Sequence, residues 1–525
     1  MKNRDWLSTL LPLAALWVVV LAVFFPTLRS QFVYDSQPEI ILWDFIHDPG
    51  NILTPLTFRL MGMDVVDFNR PVAVTSLMFD SMLWGKNPFG YHLTNIVLHG
   101  TTTCLVFLLI RHLLSQGIAG RNRTWRNLIA FLTTLIFALH PLVTEAVCEP
   151  CNRKDLLASL FGLTAFLLVT RHRVGTKQGN VLRMFLCPLL CLLAIGSKEV
   201  GAAFPAILFL YWLLFRRNEP GKFWAWTIAG SAALAVIFLV ARFSLAHYPS
   251  EIFIDPPVYI DGSLGGALLV QPRILTAYLI NVFWPVYLCA DYNGYSIRSL
   301  PLALSLFILT IVIILTGWWS MKDRRVLFGA GFVALALLPV CNLVPIYHPQ
   351  ADRYLYIPLM GLALLVAVAL DGDWMGATFS RQVAASFLVL LAIGFLIPLT
   401  LERERVWSSE LALWQNTFER NPRSLSARLG LPEALMDAGR LDEAITLSEA
   451  TLQTPYSKIS WVWFDYALEL NRRGDRNGAE RAAKRAIEIK PDITDVDKMV
   501  RTLQCPRDLA TEFAQLAASP PGRQQ

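Results

Sequence analysis

Ionisable side chains that border long apolar runs are costly to hold near a bilayer, so each needs a partner or a task. This chain places them at six separated points. Asp35 follows Gln31-Phe32-Val33-Tyr34, and Glu39 stands four residues on, sharing a face with it if 35–44 is helical. Asn69-Arg70-Pro71 precedes Asn87-Pro88-Phe89-Gly90-Tyr91-His92-Leu93-Thr94-Asn95. His140-Pro141 leads to Thr144-Glu145, and Asn152-Arg153-Lys154-Asp155 comes soon after. Ser197-Lys198-Glu199 makes a very short turn, Asp291-Tyr292 ends another apolar stretch, and Gln350-Ala351-Asp352-Arg353-Tyr354-Leu355-Tyr356 opens one. The set holds carboxylates that can take a proton, cations that can hold an anion and amides that can bind a hydroxyl, provided the chain brings them to one face.

The elements that would do so are membrane helices. Of 525 residues, 54% are hydrophobic and 16% charged, against about half and about a quarter in soluble domains. The charge is unevenly placed: residues 401–525 hold 37 of the 86 Asp, Glu, Lys and Arg. An ordinary soluble enzyme is excluded, and an apolar membrane body with a polar tail is expected. The net charge of +6 does not indicate nucleic-acid binding, because the tail carries −1 and the surplus lies in short clusters beside apolar runs.

Stretches 7–27, 92–110, 127–147, 155–170, 181–195, 200–215, 223–242, 300–319, 326–346, 354–370 and 384–400 are long enough, or nearly so, to cross about 30 Å of hydrocarbon. They give about eleven spans in an all-α polytopic protein. No small-x-small cleavage site precedes Gln31, so the first is read as a retained span. Basic clusters fall after every second span: Arg111/Arg121/Arg123/Arg126, Arg171/Arg173/Lys177/Arg183, Arg216/Arg217/Lys222 and Lys322/Arg324/Arg325. With Lys2 and Arg4 they define a cytoplasmic side and a cytoplasmic amino terminus. An extra apolar stretch, 274–289, would break this alternation as a span and is read as re-entrant or interfacial, with Pro272 and Pro285 limiting its helix. The acidic first loop and everything after Thr400 then lie outside the cytoplasm.

From 401 onward the pattern is one of short amphipathic helices punctuated by Gly or Pro. Trp463, Ala467, Leu470, Ala479, Ala483, Ala486 and Pro491 fit the tetratricopeptide spacing of about 34 residues. Gly439 and Ala444 repeat 35 residues later as Gly474 and Ala479. The domains expected are therefore a transmembrane body, 1–400, and a repeat tail, 401–525, of two or three units. So short an array needs further support from the membrane body, and the tail serves either to bind a protein or only to cap the enzyme.

Several of these runs together resemble the transmembrane O-mannosyltransferases that act on cadherins. They are Asn69-Arg70-Pro71, Asn87-Pro88-Phe89-Gly90-Tyr91-His92-Leu93-x-Asn95 with His99, His140-Pro141-x-x-Thr144-Glu145-Ala146-Val147, and Arg153-x-Asp155-Leu156-Leu157-Ala158. Lys198-Glu199, Asp352-Arg353-Tyr354-Leu355-Tyr356-x-Pro358 and Trp407-x-x-Glu410 complete the likeness. The resemblance implies a GT-C glycosyltransferase fold and transfer of mannose from a polyprenyl phosphate to Ser or Thr outside the cytoplasm. Two departures stand out. The family pairs two aspartates after its first span, whereas Ser36 follows Asp35 here, with Glu39 the expected substitute. The repeat array is also short.

On that resemblance Asp35 is the expected base, taking the acceptor's proton as the new bond forms. Arg353, and behind it Arg70, Arg153 and Lys198, would stabilise the departing lipid phosphate. Glu39, His92, His140, Glu145, Glu199 and Asp291 would bind the sugar or acceptor, or fix the cations by ion pairing. For Lys198-Glu199 and Asp352-Arg353 the alternative is an internal ion pair holding a tight turn. For His99 and His140 it is packing, and for Asp35 a helix cap. The residues leave any divalent-metal requirement open. Cys148-Glu149-Pro150-Cys151 lies on the oxidising side, where a local disulfide is one reading. No nucleotide-phosphate loop occurs: 262–266 lacks the Lys-Ser/Thr ending.

The function expected is an integral-membrane glycosyltransferase with a polyprenyl-phosphate donor and an extracytoplasmic protein acceptor reached through the repeats. The alternatives are a lipid or cell-envelope glycan acceptor, or a non-catalytic scaffold that recruits partners. The compact tail favours a bacterial inner membrane over the endoplasmic reticulum.

Overall fold

The computed structural model describes residues 7–57, 70–117, 122–170, 177–219, 221–245, 259, 262–293, 300–372, 379–502 and 505–518. Helices carry these residues, with no strand among them. Asn69, expected near the site, lies outside the described residues, as do Arg121, Arg171 and Arg173 of the basic clusters.

Among the described residues nine helices are long and apolar enough to cross a bilayer, and a tenth span forms if Arg123–Ala138 and Pro141–Cys148, bent by 55°, are taken together. The bend falls at His140-Pro141, where proline removes a helix donor. The lipid-facing surface is plain on Leu302–Ser320, which buries only Ser305 while Phe307, Ile313, Ile314 and Leu315 are exposed. An apolar surface of that kind is stable in hydrocarbon and not in water. The protein is thus an integral membrane protein.

The span count differs from the expected eleven for two reasons. Arg153–Thr170 opens with Arg153, Lys154 and Asp155, and Arg324–Leu337 is only 14 residues long. Leu264–Phe283, containing most of the supposed interfacial stretch, is long enough to cross. Along it, Tyr278 Oη accepts from Ala351 N at 3.2 Å, Arg273 donates to Leu300 O at 3.1 Å, and Val282 O meets His140 Nε2 at 3.0 Å.

Close helix approach is set by small residues. A side chain at Gly162 would collide with Phe204 at 2.1 Å, so the helices Arg153–Thr170 and Ala203–Tyr211 can meet only over glycine. On the opposite face, Arg325 pairs with Asp371 at 2.6 Å and with Asp323 at 2.7 Å, while Arg126 reaches Asp371 at 3.4 Å. Members of two basic clusters are thereby tied together.

The helix Phe379–Val406 runs unbroken from apolar sequence into the tail, so no chain break marks residue 400. Helices Glu410–Arg420, Leu425–Asp437, Leu441–Leu452, Ser460–Arg473 and Arg476–Ile489 then pack each against the next. Gly439 (φ 75°) and Gly474 (φ 91°) follow the ends of Leu425–Asp437 and Ser460–Arg473 in the left-handed region that glycine adopts without penalty. The 35-residue spacing therefore marks equivalent helix ends. Trp407, Leu413, Leu431 and Leu435 belong to the membrane body's own core, whereas Phe464, Phe513 and their neighbours form a separate one. The first half of the tail does rest on the membrane body.

Candidate active site

Tyr34 has a left-handed backbone (φ 56°), a conformation costly for a tyrosine. Three interactions hold it. Its N–H donates to Glu410 Oε1 at 2.7 Å, its hydroxyl lies 3.3 Å from His348 Nε2, and its ring packs on Trp407 and Trp414. Gln31 N–H also donates to Ser408 O at 3.0 Å. The first loop is therefore pinned by the start of the tail, and the kink at Tyr34 sets where half-buried Asp35 stands. Burial pushes the Tyr34 hydroxyl well above its ordinary pKa, with Asp35 adding to the effect. Burial lowers His348, with the Arg353 charge contributing.

Beside Asp35, Ser36 donates its hydroxyl to Glu149 Oε1, and Glu149 Oε2 accepts from Asn152 N at 2.7 Å. Glu149 is completely buried. Burial first, and the neighbouring Asp35 charge second, push its pKa up to about 8. Glu39, the expected substitute for a second acid, instead pairs with Lys154 at 3.3 Å. The residue that meets Ser36 is Glu149, hidden in the sequence between two cysteines. Cys148 and Cys151 carry free thiols.

Arg353 is clasped by Glu145, which accepts from its backbone N at 2.8 Å and from its guanidinium. Two cations lie over the Tyr354 ring, Arg353 5.4 Å and Lys198 5.3 Å from its centroid. Lys198 pairs with Asp155 at 2.6 Å, and Glu199 takes Arg70 at 3.3 Å and Arg242 at 2.7 Å. Arg353 and Arg70 both act electrostatically on Lys198, and Asp35 acts on Arg353. Arg353, Lys198 and Arg70, with Glu145, Asp155 and Glu199 as their respective holders, thus come from separate stretches of the chain.

Other candidates are spent on structure. Arg153 pairs with Asp80 at 2.6 Å and donates to Pro150 O, to Ser76 and to Tyr91 O, so its guanidinium is occupied deep in the core. His140 accepts from Leu142 N and meets Val282 O, engaging both ring nitrogens. His99 is bonded to Tyr356 and Ala138. His92 is fully buried against the backbone of Ser30 and Gln31. Asp291 accepts from Ser424 Oγ at 2.6 Å and from Asn293 N, fastening the tail to the body. Arg153 and His140 are thus engaged within the protein, whereas both ring nitrogens of buried His92 lack a hydrogen-bond partner. Among the described residues no three His, Cys, Asp or Glu side chains are grouped to hold a metal ion.

No protein-family model matches the chain. Its sequence is homologous to curated animal proteins. The Drosophila melanogaster protein O-mannosyl-transferase Tmtc3 is 26% identical over 448 residues, covering 72% of this chain and 47% of that protein. Human protein O-mannosyl-transferase TMTC1 is 25% identical over 484 residues, covering 80% and 52%. A Caenorhabditis elegans protein O-mannosyl-transferase, F38B6.6, is 24% identical, covering 79% and 59%. The chain thus spans about half the length of the curated relatives it matches. Among solved structures, apo ArnT from Cupriavidus metallidurans aligns with a TM-score of 0.43 at 15% identity, over 95% of this chain and 80% of that one. The Archaeoglobus fulgidus oligosaccharyltransferase aligns with a TM-score of 0.41 at 13% identity, over 82% and 58%.

Proposed function

We propose that the protein is a GT-C type membrane glycosyltransferase that moves a sugar, mannose by homology, from a polyprenyl phosphate to a Ser or Thr hydroxyl of an extracytoplasmic protein. The observation that carries the reading is that Arg353 and Lys198 both lie over the Tyr354 ring, 5.4 and 5.3 Å from its centroid, while Glu199, next to Lys198, holds Arg70 at 3.3 Å. Each of the three already has a carboxylate partner, Glu145, Asp155 or Glu199, so the cations are held in place in advance for an arriving anion. A lipid phosphate arriving from the bilayer is such an anion.

In the step proposed, the acceptor oxygen attacks the anomeric carbon while Asp35 takes its proton. The bond from that carbon to the phosphate oxygen breaks, and the polyprenyl phosphate leaves with the electron pair. Arg353, fixed beforehand by Glu145, faces the charge that develops on the phosphate. Glu199 and Asp155 hold Arg70 and Lys198 in place. The tail would present the acceptor.

The test is to give the purified full-length protein a panel of polyprenyl-phosphate sugars with Thr-containing peptides, and to read products by mass spectrometry. Mannosyl peptide formed by the wild type and lost in Arg353→Ala supports the reading. A glycolipid product would move the acceptor class to lipid, and no product with any donor, while peptides still bind, would leave a scaffold.

A further inference from the structure

A cleft opens where the membrane helix Phe379–Val406 runs into the tail, and none of the residues of the proposed transfer step lines it. It holds about 290 Å³ of empty space, its open side included. Leu399, Arg403 and Val406, each about one helical turn from the next, form one wall, and Asn416 and Arg420, four residues apart on Glu410–Arg420, form a second. Val286, just past Leu264–Phe283, adds an apolar side.

The buried charge in this cleft is short of acceptors. Arg403 is 6% exposed. Its Nη1 donates to Asn416 Oδ1 at 3.1 Å, Nη2 stands 3.9 Å from Asp352 Oδ2, and neither Nε nor Nη2 has a hydrogen-bond partner. A guanidinium offers several N–H donors in a planar fork, so one bonded this sparsely in the interior is costly unless further oxygens reach it. Arg420 is half-buried and has no acid paired with it among the described residues, its guanidinium lying 5.0 Å from the Tyr287 ring centroid. Two guanidinium groups with donors to give on one cleft suit a phosphate, whose oxygens match the fork.

The surface beside the cleft is that of a membrane boundary. Leu391, Phe395 and Leu399 follow at four-residue steps along a single ridge of the helix; the first two are exposed and the third enters the cleft. Trp284 stacks on Phe395 at 5.4 Å, and Tyr287, next to Val286, is 68% exposed. Exposed tryptophan and tyrosine at the ends of membrane helices mark the headgroup level. Arg403 stands eight residues past Phe395, about 12 Å further along the helix axis, where a phosphate joined to acyl chains on the ridge would sit. An ion free in water gains nothing from that ridge, so the geometry selects a lipid.

We propose that this cleft binds the headgroup phosphate of an anionic bilayer phospholipid, held by Arg403 and Arg420 with its acyl chains along Leu391 and Phe395. The site is separate from the cations assigned to the sugar carrier, and the proposal does not depend on glycosyl transfer. It adjoins the candidate active site through the contact of Arg403 with Asp352, the residue before Arg353.

The test uses full-length protein in micelles, with native mass spectrometry to count retained lipids and titration to rank them. Phosphatidylglycerol is compared with phosphatidylcholine of the same chains, so that contacts made by the chains alone are common to both. One phosphatidylglycerol should be retained beyond the phosphatidylcholine level, with about tenfold tighter binding. Arg420→Gln, outside the buried network, should weaken that binding about three- to tenfold at an unchanged unfolding temperature. Arg403→Gln should weaken it further, and Arg405→Gln, on the exposed side of the same helix, should leave it as it is. Equal retention of the two lipids, or a preference that survives both Arg420→Gln and Arg403→Gln, overturns the proposal. Displacement of phosphatidylglycerol by inorganic phosphate overturns the choice of a lipid, and displacement by an equimolar polyprenyl phosphate gives the cleft to the sugar carrier instead.

Discussion

The pair Glu145 and Arg353 allows structure and chemistry to be separated. Both side chains are nearly removed from solvent, at 1% and 9% exposure, and Glu145 also accepts from the Arg353 backbone N at 2.8 Å. Glu145→Leu would leave a buried guanidinium without its carboxylate, at a cost of about 3–5 kcal/mol. Arg353→Met would leave the carboxylate with its backbone bond alone, at a similar or slightly smaller cost. Because each single change strands the other partner, the double variant should lose far less than the sum, and a coupling of about 2 kcal/mol or more is expected. Transfer should behave differently. If Arg353 faces the leaving phosphate, the refolded core of the double variant restores stability and not activity, which should stay down at least about a hundredfold. The assay is denaturant unfolding in mixed micelles alongside peptide mannosylation. Additive stability losses would refute the pairing, and an active double variant would refute the role of the arginine.

Arg153→Met should behave in the opposite way. Its partner Asp80 lies 2.6 Å away in the core, so the change should cost about 3–5 kcal/mol, and adding Asp80→Asn should recover the part due to the stranded carboxylate, and transfer with it, in the same micelle assays, while Pro150 O and Tyr91 O stay without their donor. Burial and Asp35 raise the Glu149 pKa from 4.5 to about 8. The folded state therefore binds more protons than the unfolded state between these values, and stability falls as pH rises through that window. Glu149→Gln should flatten that slope in unfolding titrations, and an unchanged slope would contradict the assignment. Gly474→Ala, at φ 91°, should destabilise the tail by about 1–2 kcal/mol, read by unfolding followed through its tryptophans.

The sequence reading works where one residue's environment follows from its neighbours. Apolar runs marked the membrane helices, and the Gly439 and Gly474 repeat marked two left-handed helix ends. It failed where a partner comes from far away. Nothing near Arg153 in sequence announces that Asp80 and Tyr91 O will occupy it, so it looked as available as Arg353 does. His140 sits in a motif that reads as functional, yet its ring closes a turn and meets the end of a distant helix. Glu149 stands between two cysteines with no neighbour in the sequence to mark its partner, and only folding sets it against Ser36, 113 residues earlier. His348 gave no signal beyond a Pro-rich linker. The charged residues at the start of Arg153–Thr170 lie inside the protein, paired, which hydropathy alone does not distinguish from exposure.

The central claim is that the Asp35 carboxylate takes the acceptor's proton. Asp35→Asn keeps the shape of the side chain and removes its basicity, so the most direct measurement is single-turnover transfer of mannose from a polyprenyl phosphate to a threonine peptide, with donor and peptide binding measured on the same samples. The account predicts binding within about threefold of wild type and a rate lowered by about a hundredfold to ten-thousandfold. Transfer by the folded Asp35→Asn protein at the wild-type rate would contradict it.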